Sequence, residues 1–194
     1  MNQLRWKKEV EHSMREEFEY LLPKKIQRLS RLDTAWLIPN HHFASASAEC
    51  ISLFLDGHFY GCISLLQAVS EATVRFLCKK NKYQPSSNYE RNVGTLLKRG
   101  FISSHLSNYF LKIWEKRDDY HHLNDTVLKD RQALEILAEQ KINLLHKIQQ
   151  EIFHFNIREG MIVPRNPKYW DTADDTAYIQ TEPITRWIFK KPIK

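Results

Sequence analysis

The chain of 194 residues, 42% hydrophobic and 27% charged, has the length and composition of one ordinary globular domain with appended segments rather than of a disordered polypeptide. Only 5 glycines, and long stretches free of proline, favour helices. A formal net charge of +6 permits an anionic partner without demonstrating one. Cys50, Cys62 and Cys78, odd in number and set in apolar sequence, read as reduced core residues of a reducing compartment.

Residues 3–22 predict a charged amphipathic helix. Leu4, Val10, Met14, Phe18 and Leu21 turn toward the body, Glu9, Glu11, Arg15, Glu16, Glu17 and Glu19 turn outward, and Pro23 sits at the end. No apolar run or small-residue cleavage site marks the first ten residues, so no secretory signal is expected. Residues 24–40 lack a sustained period, although Ile26, Leu29, Leu32 and Trp36 suggest a further short turn or two on the bundle. Residues 1–40 thus form an N-terminal helix and connector packed on a core unit of residues 41–156.

A helix over 42–55 is small on one side, through Ala44, Ser45, Ala46, Ser47 and Ala48, and Asp56-Gly57 supplies its break. The helix over 58–80 is apolar around most of its circumference and reads as the central one. Its window 61–78 holds Ser64, Gln67, Ser70, Glu71 and Arg75, which excludes a membrane span, and a cytoplasmic protein is expected. Gln67, Glu71, Arg75 and Lys79 share one face. That face is either solvated, with a Glu71–Arg75 pair, or directed at the helix carrying residue 117, so that Glu71 or Gln67 orients Arg117.

Lys79, Lys80, Lys82, Arg91, Lys98 and Arg99 make residues 79–99 the basic part of the chain, broken by Pro85-Ser86-Ser87. Such a run is a solvated surface or, on an RNA-binding protein, a phosphate track. Gly100 closes a short helix, and Ser103 or Ser104 is placed to cap the next. There Leu106, Tyr109, Phe110, Ile113 and Trp114 follow helical spacing up to the polar run 116–124: Lys116-Arg117-Asp118-Asp119-Tyr120-His121-His122-Leu123-Asn124.

Arginine is a permanent cation whose planar fork matches two phosphate oxygens, and histidine exchanges a proton near neutral pH. The pair suits phosphodiester chemistry without a metal. The plain alternative pairs Arg117 with Asp118, Asp119 or Glu115 and leaves the histidines as exposed C-terminal residues. On an unbroken helix His121 shares the face of Arg117, whereas His122 is turned away by about 140°.

A long helix over 128–155 carries Leu134, Leu137, Leu145, Ile148, Ile152 and Phe155 in a stripe with one polar interruption, Lys141. His146 and His154 lie nearly on one face of it without a third ligand, and His41-His42 reads as a cap or loop pair, so no metal site and no cofactor is expected. Residues 157–194 form a Pro- and aromatic-rich arm, with two short strands near 176–180 and 185–189.

The run Arg117-Asp118-Asp119-Tyr120-His121-His122 resembles the Arg-polar-x-x-x-His signature of the HEPN superfamily, small helical domains that include many metal-independent ribonucleases. Leu55-Asp56-Gly57-His58-Phe59-Tyr60-Gly61-Cys62-Ile63 with Leu65 to Ala72 resembles the paired helices before that motif, and Val93 to Ile102 resembles their short helix and turn. The similarity covers roughly residues 44–155. It implies an all-α bundle of about five to six helices and a homodimer with two motifs in one cleft. His122 then assists proton transfer as the ribose 2′-hydroxyl attacks the phosphate held by Arg117. Asp118 positions the arginine, and His121, Asn124 and Glu71 are supporting candidates.

The resemblance further implies RNA as partner, a toxin or antiphage-defence role, and a regulatory protein such as an antitoxin. One toxin subgroup, paired with a nucleotidyltransferase antitoxin, carries a tyrosine two places after the motif histidine, where this chain has Asn124. The alternative is a non-catalytic module that binds RNA, a nucleotide or a protein in the same groove.

Overall fold

The computed structural model describes residues 3–32, 38–39, 41–127, 129–159 and 161–170. Seven helices are present among them: α1 (Gln3–Ser30), α2 (His41–Asp56), α3 (Phe59–Lys80), α4 (Tyr89–Lys98), α5 (Ser104–Trp114), α6 (Arg117–His122) and α7 (Arg131–Ile152). An antiparallel hairpin, β1 (Phe155–Arg158) with β2 (Met161–Pro164), and a 3₁₀ turn (Pro167–Tyr169) follow. The fold is an all-α bundle with a short β arm.

α3 is the centre of the bundle and touches α2, α4, α5, α6 and α7. Phe54, Ile63, Leu66, Leu77, Phe110, Ile113, Ile142, Ile148 and Phe153 fill the space between these helices and are almost completely buried. Burial of each such side chain contributes about 1.5–3 kcal/mol. Cys50, Cys62 and Cys78 are buried free thiols of the same core. Loss of solvent pushes the Cys62 thiol up to about 12.

The helix ends follow local chemistry. Gly57 takes φ +79, with His58 N–H bonded to Leu53 O (2.8 Å) and Gly57 N–H to Phe54 O (3.0 Å), the two bonds of a Schellman cap. A Cβ there would stand 2.8 Å from an Arg131 guanidinium nitrogen, so the position needs glycine twice over. Gly100 closes α4 in the same way, and the side chains of Asn88, Ser103 and Asp130 cap α4, α5 and α7.

The N-terminal helix departs from expectation. It continues through Pro23 to Ser30, because Pro23 is exposed and the carbonyl its missing N–H leaves open can turn to water. Its C-terminal part is anchored: Arg28 donates to Leu55 O and, with Arg31, pairs with Glu135 of α7. The face with Leu4, Met14 and Phe18, expected against the body, is instead open to solvent. α7 starts at Arg131 rather than 128 and ends at Ile152, so Phe155 belongs to a strand. Tyr169 and Trp170 of the arm pack on the protein's own bundle, the Tyr169 hydroxyl accepting from Asn81 Nδ2 at 3.0 Å and Trp170 meeting Phe155 edge-on. The strands expected near 176–180 and 185–189 lie outside the described residues, as do the His41 and His42 side chains. Among the described residues no helix is long and apolar enough to cross a membrane.

Candidate active site

The polar run is set off from α5 by a reversal of the chain. α5 ends at Trp114, and Lys116 adopts the left-handed region at φ +58 before α6 begins at Arg117. Two buried side chains hold the reversal from beneath. Lys141 Nζ donates to the carbonyls of Lys112 (3.0 Å), Ile113 (2.6 Å) and Glu115 (3.2 Å), and Gln67 Nε2 donates to those of Ile113 (3.2 Å) and Glu115 (3.3 Å). An ammonium at a helix C-terminus meets both the orphan carbonyls and the negative end of the dipole. Burial nevertheless draws the Lys141 pKa down to about 8, with Glu115 opposing the shift.

Arg117 is braced by an aromatic stack. Tyr89 and Trp114 lie face to face, centroids 4.0 Å apart and 11° from parallel, and the Arg117 guanidinium sits 5.3 Å from the Trp114 ring. The Tyr89 hydroxyl, bonded to Phe110 O at 3.1 Å and to Ser70 Oγ at 2.6 Å, fixes the stack to α3 and α5. Arg117 Nη1 donates to Asp118 Oδ1 at 3.0 Å, the pairing of the plain alternative, while its Nε is buried without a hydrogen-bond partner. Asp118 is largely exposed, so this pair contributes little to stability. An open groove of about 660 Å³ runs between α4 and α5, with Glu90, Leu97, Leu111 and Trp114 on its walls and residues 116–119 at one end.

α6 is unbroken from Arg117 to His122. His121 therefore stands one turn from Arg117 on its side of the helix, and His122 points about 140° away. The two histidines are exposed and are not among the groove's lining residues. The His121 pKa is lowered, first by partial burial and then by the Arg117 and His122 charges, against opposition from Asp118 and Glu71. His121 consequently favours the neutral, proton-accepting form. Tyr120, just before them, is buried beside Tyr60.

The supporting candidates divide. Gln67 faces the reversal and bonds its backbone rather than Arg117. Glu71 pairs with Arg75 at 2.6 Å and reaches the site through its field on His121 and on the Tyr89 hydroxyl. Asn124 closes α6: its backbone N–H bonds Asp119 O at 3.0 Å, its side chain donates to Asp119 Oδ1 at 3.2 Å, and Leu123 between them is left-handed at φ +51. Hydrogen bonds from Thr126 and Asn124 hold the Asp119 carboxyl below its usual range.

The six basic candidates are all exposed. Arg91 and Lys98 flank the face of α4 that lines the groove. Arg99 lies over the Tyr83 ring, Lys80 over Phe76, and Lys79 borders a separate hollow of about 280 Å³ with Arg75 and Gln84. Lys141 and Trp114 are not marked by the sequence as parts of a site. A lysine at a core position of an apolar helical stripe was the available signal for Lys141. Among the described residues no three His, Cys, Asp or Glu side chains lie close enough together to hold a metal ion. Comparison of the chain with known protein families, curated proteins and solved structures finds no match.

Proposed function

We propose that this protein is an endoribonuclease of HEPN type that cleaves RNA without a metal, by attack of the ribose 2′-hydroxyl on the adjacent phosphate. The observation that carries the reading is the presentation of Arg117. A partly exposed guanidinium is braced on a fixed aromatic stack at the end of a groove, on a six-residue helix bracketed by two non-glycine residues in the left-handed region. Left-handed backbone at non-glycine positions costs about 1–2 kcal/mol per residue, and such strain concentrates at functional sites.

In this mechanism Arg117 holds the scissile phosphate and stabilises the charge that develops on it, while a histidine takes the 2′-hydroxyl proton. The products are a 2′,3′-cyclic phosphate and a free 5′-hydroxyl. Because α6 turns His122 away from its own Arg117, a site containing both draws on two copies of α6, as a homodimer with two motifs in one cleft provides. Asp118 orients the guanidinium, and His121, already neutral-leaning, supports proton transfer. A toxin or defence role, with a regulatory partner, accompanies the reading.

The deciding experiment treats total RNA and transfer RNA, in EDTA, with wild type and with folded Arg117→Ala, His121→Ala and His122→Ala variants, and identifies the fragment ends. Cyclic-phosphate ends from wild type, lost in Arg117→Ala and His122→Ala, support the enzyme. RNA binding without cleavage in any of the four supports the non-catalytic module instead.

A further inference from the structure

The groove beside Arg117 carries more carboxylates than cations: Glu90, Glu115, Asp118 and Asp119 line it against Lys116 and Arg117. Asp118 is engaged by Arg117, Asp119 is held by Asn124 and Thr126, and Glu115 stands in the field of Lys141. Among the described residues the Glu90 carboxylate has no hydrogen bond or ion pair. A phosphodiester placed inside this groove meets repulsion, whereas a group presenting N–H donors is attracted. Of an RNA strand whose phosphate rests on Arg117, the part that fits inside is therefore a base.

The shape of the groove has the same preference. Glu90, Gly94 and Leu97 follow at four and three residues on α4, and Ser107, Leu111 and Trp114 do so on α5, so each helix contributes one face. Tyr89 at the start of α4 stacks on Trp114 at the end of α5, which sets Glu90 toward the Arg117 end and Leu97 toward the far end. Between them Gly94 is destabilising relative to alanine inside a helix, and nothing in the fold requires it: its φ is not positive, and a Cβ there would meet nothing within 4 Å. The missing side chain leaves bare helix backbone on the groove floor, beside Leu97 and Leu111, each 38% exposed, against which a flat ring can lie. Outside the groove, Arg91 and Lys98 stand together about 75–95° round α4 from this face, where flanking phosphates can pass.

The carboxylate decides which base. Ionised, it only accepts hydrogen bonds. Guanine alone among the four bases sets two donors side by side on one edge, N1–H and the N2 amino group, to match the two carboxylate oxygens. Adenine and cytosine set their amino group beside a ring-nitrogen acceptor, and uracil sets N3–H between two carbonyls, so each brings a lone pair against the carboxylate. We infer that Glu90 and Gly94 form a guanine-binding subsite, which selects the nucleotide adjoining the phosphate held by Arg117. The inference rests on the RNA reading of Arg117 and adds to it the base which that RNA carries there.

Binding of 2′-O-methyl pentamers U-U-X-U-U to the full chain tests it, because these lack the attacking hydroxyl and stay intact whether or not the protein cleaves RNA. With X as guanine the Kd is expected at least about tenfold below that for adenine, cytosine or uracil, and hypoxanthine, which keeps N1–H but lacks the amino group, is expected between them. Glu90→Gln, at an exposed position, is expected to bring all five within about threefold. Gly94→Leu is expected to raise the melting temperature, leucine being the better helix former, while weakening the guanine pentamer about tenfold, a separation that a merely structural glycine would not give. Equal binding of the five pentamers, or a guanine preference that survives Glu90→Gln, overturns the inference. So does the absence of pentamer binding at about 1 mM, and a lysine nonapeptide bound in their place would give the carboxylates to a cationic partner. Mapping the cuts in total RNA in EDTA separates the two readings. Cuts without base preference keep the ribonuclease and overturn the subsite, whereas guanine-selective binding without any cleavage supports the subsite and refutes the cleavage step.

Discussion

Replacing Lys141 with methionine removes the ammonium that closes α5 while keeping a flexible stem of similar length. Three charge-assisted bonds are lost, to the carbonyls of Lys112, Ile113 and Glu115, of which Ile113 and Glu115 keep the Gln67 amide. Such bonds contribute about 1.5–3 kcal/mol each, and a pKa near 8 against a usual 10.5 means that holding the charge costs about 3 kcal/mol at neutral pH. The net expectation for Lys141→Met is a destabilisation of about 3 kcal/mol at pH 7. Because the folded pKa lies below the unfolded one, the unfolded chain holds more protons between about pH 8 and 10.5. Wild-type stability therefore gains through that window and loses the gain as pH falls through 8. The difference between wild type and Lys141→Met should widen by about 2 kcal/mol from pH 7 to pH 9.5. Urea unfolding followed by circular dichroism at both pH values measures it. A cost below about 1 kcal/mol with no pH dependence of the difference would refute the role given to Lys141.

Other expectations rest on separate contacts. If cleavage needs Arg117 and His122 from different copies, mixing inactive Arg117→Ala and His122→Ala proteins should recover measurable cyclic-phosphate production, whereas a site within one chain gives none. His121 should titrate below the usual histidine value by NMR, and Arg117→Ala should raise it by removing a repelling cation. Gln67→Leu leaves Lys141 as the remaining donor to the Ile113 and Glu115 carbonyls and should cost about 1–2 kcal/mol in urea unfolding. Arg91→Glu with Lys98→Glu, on the flank of the groove, should weaken RNA binding at low salt and flatten its salt dependence by close to one phosphate contact per residue.

Much of this protein is local in origin and so legible in its sequence. The helical class, the central position of α3, the breaks at Gly57 and Gly100 and the Ser103 cap follow from apolar spacing and from residues whose conformational preferences act within a few positions. The 3.6-residue repeat likewise placed His121, not His122, on the side of Arg117. Periodicity also showed that α1 has an apolar face, but a repeat carries no information about what meets it. Only the position of α1 relative to α2 and α7 left Trp6, Met14 and Phe18 in solvent. The surroundings of Arg117 are tertiary throughout. Tyr89 comes from α4, Gln67 from α3 and Lys141 from α7, up to 50 residues away in the chain. The left-handed turn at Lys116 has no glycine to announce it, and two buried donors from other helices bond the carbonyls just before it. The sequence by itself determined which residues could bear the chemistry. The packing of α3, α4 and α7 around the end of α5 decided how they are presented, because hydrogen bonds and ring contacts depend on distances that chain order does not set.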